Sequence, residues 1–319
     1  MAGSVRSPMR VVVLGSLVFD MTVNVERVPR THETVLASGL TISGGGKGLC
    51  QAVAARRLGA DVDLIGRLGA DVFGDFLLDI IDAEGIQRHA VQLDPVGTHI
   101  GIPIITLDGN NRIIGVPRAS GNVSAADVDA ARSALARCEV LLLQGETPLA
   151  ACHRALELIA ENTVVVWNPA PATFALKDML GGVLGTKVTW LTPNETEATT
   201  LTGLEVVDPD SALAAARMIQ DTYRHVGVVV TLGDRGSVAV EKTGTVVVEP
   251  PFAVDATDPT AAGDTFSAAF GVALARSTDV DGALTFASAA GALTATRLGA
   301  VLSIPHIEEV SSLIETRKR

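Results

Sequence analysis

The 319-residue sequence predicts an α/β fold: a mainly parallel sheet covered on both faces by helices, with a small β-sheet lid. Three observations carry that expectation. Strand-sized apolar runs alternate with helical segments along most of the chain. The composition is 47% hydrophobic, dominated by Ala, Val, Leu and Gly with only 3% aromatic residues, which suits helices packed on a buried parallel sheet. Finally, some early segments alternate apolar and polar residues, the pattern of strands exposed on one face and lying off the main sheet.

Residues 1–10 are short and polar, without an apolar leader-like run, and are expected to form a disordered extension before a single domain over 11–319. Val11-Val12-Val13-Leu14-Gly15-Ser16-Leu17-Val18-Phe19-Asp20 reads as one buried strand ending on an acid. Segments 21–25 and parts of 33–42 alternate and are assigned to the lid. Gly44-Gly45-Gly46-Lys47-Gly48 then opens a helix that stops at Gly59. A strand at 62–65, a helix at 73–84 and a strand at 88–93 follow. Segments 100–107 and 112–116 flank Asp108-Gly109-Asn110-Asn111, a hairpin-turn sequence, so lid strands come from about 20–43 and 98–117.

From Ser124 the alternation is regular. A helix starts near Ser124, and a strand at 140–143 ends at Gln144-Gly145-Glu146. Next come a helix at 148–161, strands at 164–167 and 188–191, helices at 194–202 and 209–222, and a strand at 226–231. An antiparallel hairpin at 238–248 and helices at about 262–276, 280–296 and 305–316 close the chain.

The formal net charge of −11 argues against nucleic acid or an anionic membrane as partner. Three widely spaced cysteines without a C-x-x-C pair argue against disulfides and structural zinc, and favour a reducing cytoplasm. No apolar run reaches membrane-spanning length. The glycine turn at 44–48 fails the Walker A spacing, because Thr41 stands where the first glycine belongs, and fails the dinucleotide fingerprint at Leu49. It remains a tight, backbone-accessible turn at a helix start.

Asp258-Pro259-Thr260-Ala261-Ala262-Gly263-Asp264-Thr265-Phe266 places small residues and an acid at another helix start. Such a start offers unpaired N–H groups to an anion, and Asp264 beside them could accept a proton, as phosphoryl transfer to an alcohol requires. Read alone, Asp264 is as well explained as a helix cap. Polar groups at other strand ends, Asp20, Glu146, Asn168, Asn194 with Glu197, and 231–236, can converge on one sheet edge with it, where open α/β sheets bind ligands.

Taken together the residues closely resemble the ribokinase (PfkB) family of carbohydrate kinases, from about Val11 to Pro305. The carriers are Gly15-Ser16 with Asp20, the turn at 45–48, Asn168-Pro169-Ala170-Pro171, Thr192-Pro193-Asn194-Glu195-Thr196-Glu197, Thr231-Leu232-Gly233-Asp234-Arg235-Gly236, and Ala261-Ala262-Gly263-Asp264-Thr265-Phe266. The resemblance implies that Asp264 is the catalytic base and that the N–H groups of Ala261, Ala262 and Gly263 form an anion hole. It implies that Asn194 and Glu197 act on Mg²⁺ and phosphates, and that Thr231, Gly233, Gly236 and Ser288 line an ATP site. Asp20, Gly46, Lys47 and Glu146 would hold the sugar. Asp258, Thr260, Thr294, Arg297, Gly299 and Ser303 match a potassium-binding loop that acts through backbone carbonyls. The family also implies a homodimer formed through the lid.

The chain departs from the family at Val18 and Cys50, both asparagines in typical members, where the family faces its sugar. Losing two amides removes hydrogen bonds worth roughly 1 kcal/mol each and gives that face a less polar character. Ser288 stands where a histidine is common near the adenine, and Pro259 lies within the cation loop with no N–H to donate. The expected activity is ATP-dependent phosphorylation of a primary hydroxyl, with D-ribose giving ribose 5-phosphate as the leading reaction. A nucleoside or ketose acceptor is the alternative, and a catalytically silent sugar-binding protein is the reading from another class.

Overall fold

The computed structural model describes residues 9–107, 111–276 and 278–317. The proposed turn residues Asp108, Gly109 and Asn110, and residues 1–8 of the proposed extension, lie outside them. Met9 and Arg10, also placed in the extension from sequence, belong to the folded domain. Met9 is buried, Arg10 opens the first strand, and its N–H donates to Glu139 Oε2 at 2.8 Å.

In chain order the elements are β1 (Arg10–Leu14), β2 (Val18–Val25), β3 (Gly39–Gly45), α1 (Lys47–Arg57), β4 (Asp61–Gly69), α2 (Val72–Ala83) and β5 (Gln87–Asp94). Next come β6 (His99–Thr106), β7 (Asn111–Val116), α3 (Ala125–Ala130), α4 (Arg132–Leu135), β8 (Val140–Leu143), α5 (Leu149–Leu158) and β9 (Val164–Trp167). Two short helices, α6 (Leu176–Leu180) and α7 (Gly182–Gly185), precede β10 (Trp190–Leu191), α8 (Glu195–Thr202), α9 (Pro209–Thr222) and β11 (Gly227–Thr231). The chain ends with β12 (Ser237–Val240), β13 (Val246–Glu249), α10 (Ala262–Ala275), α11 (Val280–Ala295) and α12 (Ile307–Arg317).

Nine strands form one sheet in the order β13-β12-β11-β10-β9-β8-β1-β4-β5, parallel except for the terminal antiparallel β11-β12-β13 ribbon. Alternate residues of each strand feed opposite cores. Val11, Val13, Leu64 and Leu142 pack with α1, α2, α10 and α11, whereas Val12, Leu14, Leu141 and Leu143 pack with α3, α5 and α9. Both faces are dry, which is why these strands read as continuous apolar runs.

One sequence reading needs correction. The run 11–20 is two strands, not one: β1 stops at Leu14, and Val18 to Asp20 open the lid strand β2. The start of α1 lies directly against the bend, since a Cβ on Gly15 would stand 2.5 Å from Gly48 Cα. Leu17, Val18 and Phe19 remain buried through the bend, so the apolar run shows no break. The lid is a second sheet, β3-β2-β6-β7, with β2 and β6 parallel and its outer pairs antiparallel.

Candidate active site

The site is built on the N-terminus of α10. Ala261, before its first residue, has φ 63°, a left-handed conformation costing a non-glycine residue about 1–2 kcal/mol. Among the described residues no side chain caps the helix, so Asp264 is not the cap that its position suggested. The Ala262 N–H is spent on the Pro259 carbonyl at 3.1 Å, whereas those of Ala261 and Gly263 have no backbone acceptor among the described residues. A Cβ on Gly263 would meet nothing within 4 Å, so packing does not demand glycine there.

Asp264 is 8% exposed and lines a cavity of about 190 Å³ with Lys47, Asn168, Asn194 and Glu197. Its Oδ1 accepts Gln51 Nε2 at 3.0 Å. Burial pushes its carboxyl above the ordinary range, while Lys47 and Gln51 pull it down. Burial opposes the charge on Lys47, but Asp264, Glu146 and Glu197 outweigh it and hold the ammonium well above its ordinary pKa. Glu146 Oε2 accepts the Lys47 N–H at 3.0 Å and also the Ser16 hydroxyl. Cys50 sits deeper, 2% exposed in the core, its thiol pushed up by burial and by Asp264 and Asp20.

A second cavity, about 260 Å³, shares the lining residues Thr231, Pro259 and Gly263 with the first. Gly233, Gly236 and Ser288 line it, and Phe252, Val254 and Ala292 supply apolar walls. Gly236 has φ 86°, and a Cβ there would stand 2.1 Å from the Glu249 carbonyl oxygen. Asn194 and Glu197 form a capping box on α8: each backbone N–H donates to the other's side chain at 2.9 Å, and Asn194 Nδ2 donates to Glu197 Oε1 at 3.1 Å. Each Glu197 carboxylate oxygen thus accepts one hydrogen bond from Asn194 and keeps a second lone pair.

The lid closes a third cleft, about 160 Å³, between Asp20, Thr22 and Ser43 on one side and Asp258, Thr260 and Gly299 on the other. Asp20 is wedged between two glycines of neighbouring lid strands: Cβ atoms on Gly45 and Gly101 would stand 1.8 and 2.0 Å from its carboxylate oxygens. Burial, then Glu146, raises its carboxyl to about 7. Val18 lies two residues before Asp20 on the same lid face, its methyls against Gly46 and Gly101. His99, which does not stand out in the sequence as a site residue, pairs in register with Val18, and its Nδ1 is buried with no partner among the described residues.

Of the six residues assigned to a cation loop, the structure brings Asp258, Thr260 and Gly299 together. Asp258 Oδ1 accepts the Thr260 N–H and hydroxyl at 3.0 and 2.6 Å, and Oδ2 accepts the Gly299 N–H at 3.0 Å. The other three side chains turn elsewhere. Thr294 bonds Thr265 and the Ala290 carbonyl in the core, Ser303 bonds the Ala300 carbonyl, and Arg297 pairs with Glu309. Among the described residues no three His, Cys, Asp or Glu side chains cluster as a metal site.

A buried carboxylate at a helix start without a side-chain cap, in one cavity with a lysine and next to an apolar-walled cavity that shares Gly263, matches a small-molecule kinase architecture. The comparisons agree. The pfkB family carbohydrate kinase profile matches residues 9–307. A Haemophilus influenzae ribokinase is 36% identical over 95% of this chain and 97% of its own. A Salmonella typhimurium deoxyribokinase is 32% identical over 96% and 99%. The structure of Arabidopsis thaliana ribokinase complexed with ribose and ATP superposes with TM-score 0.85 at 27% identity, over 97% and 99% of the two chains. The chain belongs to the pfkB family of carbohydrate kinases and is a phosphotransferase with an alcohol acceptor.

Proposed function

We propose that the chain transfers the γ-phosphoryl group of ATP to the primary hydroxyl of a small sugar, with D-ribose as the leading acceptor and ribose 5-phosphate as product. The observation that carries this reading is the Asp264 carboxylate: Gln51 occupies Oδ1, while no described side chain bonds Oδ2. A base so placed takes the hydroxyl proton as the alcohol attacks, and the Ala261 and Gly263 N–H groups stabilise the charge on the transferring phosphoryl. Lys47 adds a fixed positive charge to the same cavity. The cavity with Thr231, Gly233, Gly236 and Ser288 suits a nucleotide, its apolar walls taking the base. Asn194 and Glu197 act on Mg²⁺ through water or phosphate, and Mg²⁺ offsets the phosphate charge. Asp20, Gly46, Lys47 and Glu146 hold the sugar, with Cys50 behind them.

A second acceptor, 2-deoxy-D-ribose, is favoured by one observation. Val18 puts methyl groups beside Asp20 on the lid face, and an acceptor lacking a hydroxyl leaves nothing unpaired against them. The relatedness to a deoxyribokinase supports the same reading. Potassium would sit at the loop that Asp258 staples to Gly299, held by backbone carbonyls; the Asp258 carboxylate itself is engaged by protein donors.

The outward face of the lid supports a homodimer. Leu40, Ile42, Ile114 and Val116 lie on the side away from Asp20 and are 61, 47, 53 and 42% exposed, an apolar surface that a second lid would cover. Three buried free cysteines fit a cytoplasmic setting. The test of the activity is a panel of ribose, 2-deoxyribose, fructose and nucleosides with ATP, with and without potassium. A pentose should be turned over fastest and potassium should raise the rate; absence of turnover with either pentose overturns the assignment.

A further inference from the structure

Two glutamines lie buried beneath the site and line none of the three cavities described above. Gln51 on α1 and Gln144, directly after β8, are both 0% exposed. Gln51 Nε2 donates to Asp264 Oδ1 at 3.0 Å, and Gln51 Oε1 accepts Gln144 Nε2 at 2.7 Å. The direction of this chain is dictated at one end. An ionised carboxylate only accepts, so Gln51 must turn its NH₂ toward Asp264 and its oxygen toward Gln144. Gln144 must then offer its own NH₂, which leaves Gln144 Oε1 buried with no partner among the described residues. That oxygen lies against Gly15, where a Cβ would stand only 2.2 Å away.

We propose that Gln51, held in turn by Gln144, is a positioning residue for phosphoryl transfer: it fixes the Asp264 carboxylate through Oδ1 and leaves Oδ2 for the acceptor proton. The inference rests on the reading of Asp264 as base. Other groups acting on that carboxylate are Lys47 at the head of α1, Glu146 after β8, Glu197 on α8 and the Cys50 thiol. Among these only Lys47 shares Gln51's sign of effect, and it is a point charge that does not orient a carboxylate.

The test compares Gln51→Met, Gln144→Met, the double variant and Asp264→Asn in the full chain, by steady-state kinetics with ATP and pentose, thermal melting and ADP binding. Gln51→Met should lower kcat about 10- to 100-fold with the acceptor KM within about threefold, and move the acid limb of the kcat–pH profile upward. Gln144→Met should act in the same direction and less. Removing both amides leaves no glutamine unpaired, so the double variant should melt higher than Gln51→Met yet stay slow. Recovery of kcat along with melting temperature in the double variant, or a normal kcat and pH profile in a Gln51→Met protein that still binds ADP, overturns the proposal. Asp264→Asn separates the two readings. Near-normal turnover there refutes the base itself, whereas an inactive Asp264→Asn beside a normal Gln51→Met refutes only the positioning role.

Discussion

Glu146 accepts the backbone N–H of Lys47 at 3.0 Å and so supplies, from 99 residues away, the cap that α1 lacks. Gly46 at the N-cap has no side chain, and no acid occupies the first turn of the helix. Four helix-start N–H groups need acceptors, and a carboxylate there also meets the positive end of the dipole. The same oxygen takes the Ser16 hydroxyl, tying α1 to the bend that launches the lid. Glu146→Ala should therefore destabilise the protein by about 1–2 kcal/mol in urea unfolding and raise the sugar KM, with Glu146→Gln intermediate in both. Wild-type stability in Glu146→Ala would show that the contact does not anchor the helix.

Gly263 is a glycine that the protein fold does not need. It lies near the start of a helix, has no positive φ, and a Cβ there would touch nothing. Glycine in a helix costs about 0.5–1 kcal/mol relative to alanine, so its retention points to a ligand that must come close to the backbone. Gly263→Ala should hold or raise the melting temperature while lowering kcat/KM for ATP at least about tenfold, the order expected when a phosphoryl-stabilising donor is obstructed. Equal activity would place the phosphoryl group elsewhere.

The Asp264→Asn variant removes the proton acceptor while keeping the shape and the Gln51 contact site. Loss of a positioned general base lowers kcat by about 10²–10⁴. ATP affinity, measured by calorimetry, should survive, because the cavity with Gly233, Gly236 and Ser288 lies beyond the carboxylate. Loss of both together would indicate a structural role for Asp264.

Much of this architecture is legible from periodicity, because β8, β9 and β11 are buried on both faces, and α8 and α9 begin at the polar caps Asn194 and Asp208. The 238–248 hairpin is legible from two apolar runs flanking a turn at Lys242-Thr243-Gly244. The division of 11–20 is not, because the bend at Gly15 is imposed by α1, a contact distant in sequence, while the residues after it stay apolar and buried. Within the site, acids at strand and helix ends announce themselves by position. Gln51 and Gln144 do not: a glutamine in a helix or after a strand looks like surface until the fold buries it. The Glu146 cap is equally silent, since capping patterns in sequence are local and this one is not.

The lid's two faces differ in kind, and the difference can be measured. On the outward face Leu40 and Ile114 are 61 and 53% exposed. A dimer joined there should dissociate when charge is introduced, so Leu40→Glu with Ile114→Lys should sediment as a monomer under conditions where the wild type is a dimer. Because Asp20 and Ser43 lie on the opposite face, ATP binding by the monomer should be little changed. A wild type that sediments as a monomer, or a double variant that remains a dimer, rules out this interface.

Asp20 carries a pH signature in two observables. Burial and Glu146 raise its carboxyl to about 7, from an ordinary value of 3.8. The folded protein thus binds a proton here that the unfolded chain has already lost between about pH 4 and 7, and stability falls as pH rises through that window. Asp20→Asn removes the buried charge, so its gain in melting temperature should be small near pH 4, grow toward pH 7 and level off above it. Binding should move the other way. The wild-type sugar KM should rise as pH falls below about 7, because a protonated Asp20 loses acceptor capacity toward the sugar hydroxyls, and Asp20→Asn should show a high, flat KM across the range. Calorimetric melts and KM at pH 5, 6, 7 and 8 measure both. A constant stability difference across that range would mean that Asp20 titrates as an ordinary exposed carboxylate and that the Gly45–Gly101 wedge does not desolvate it.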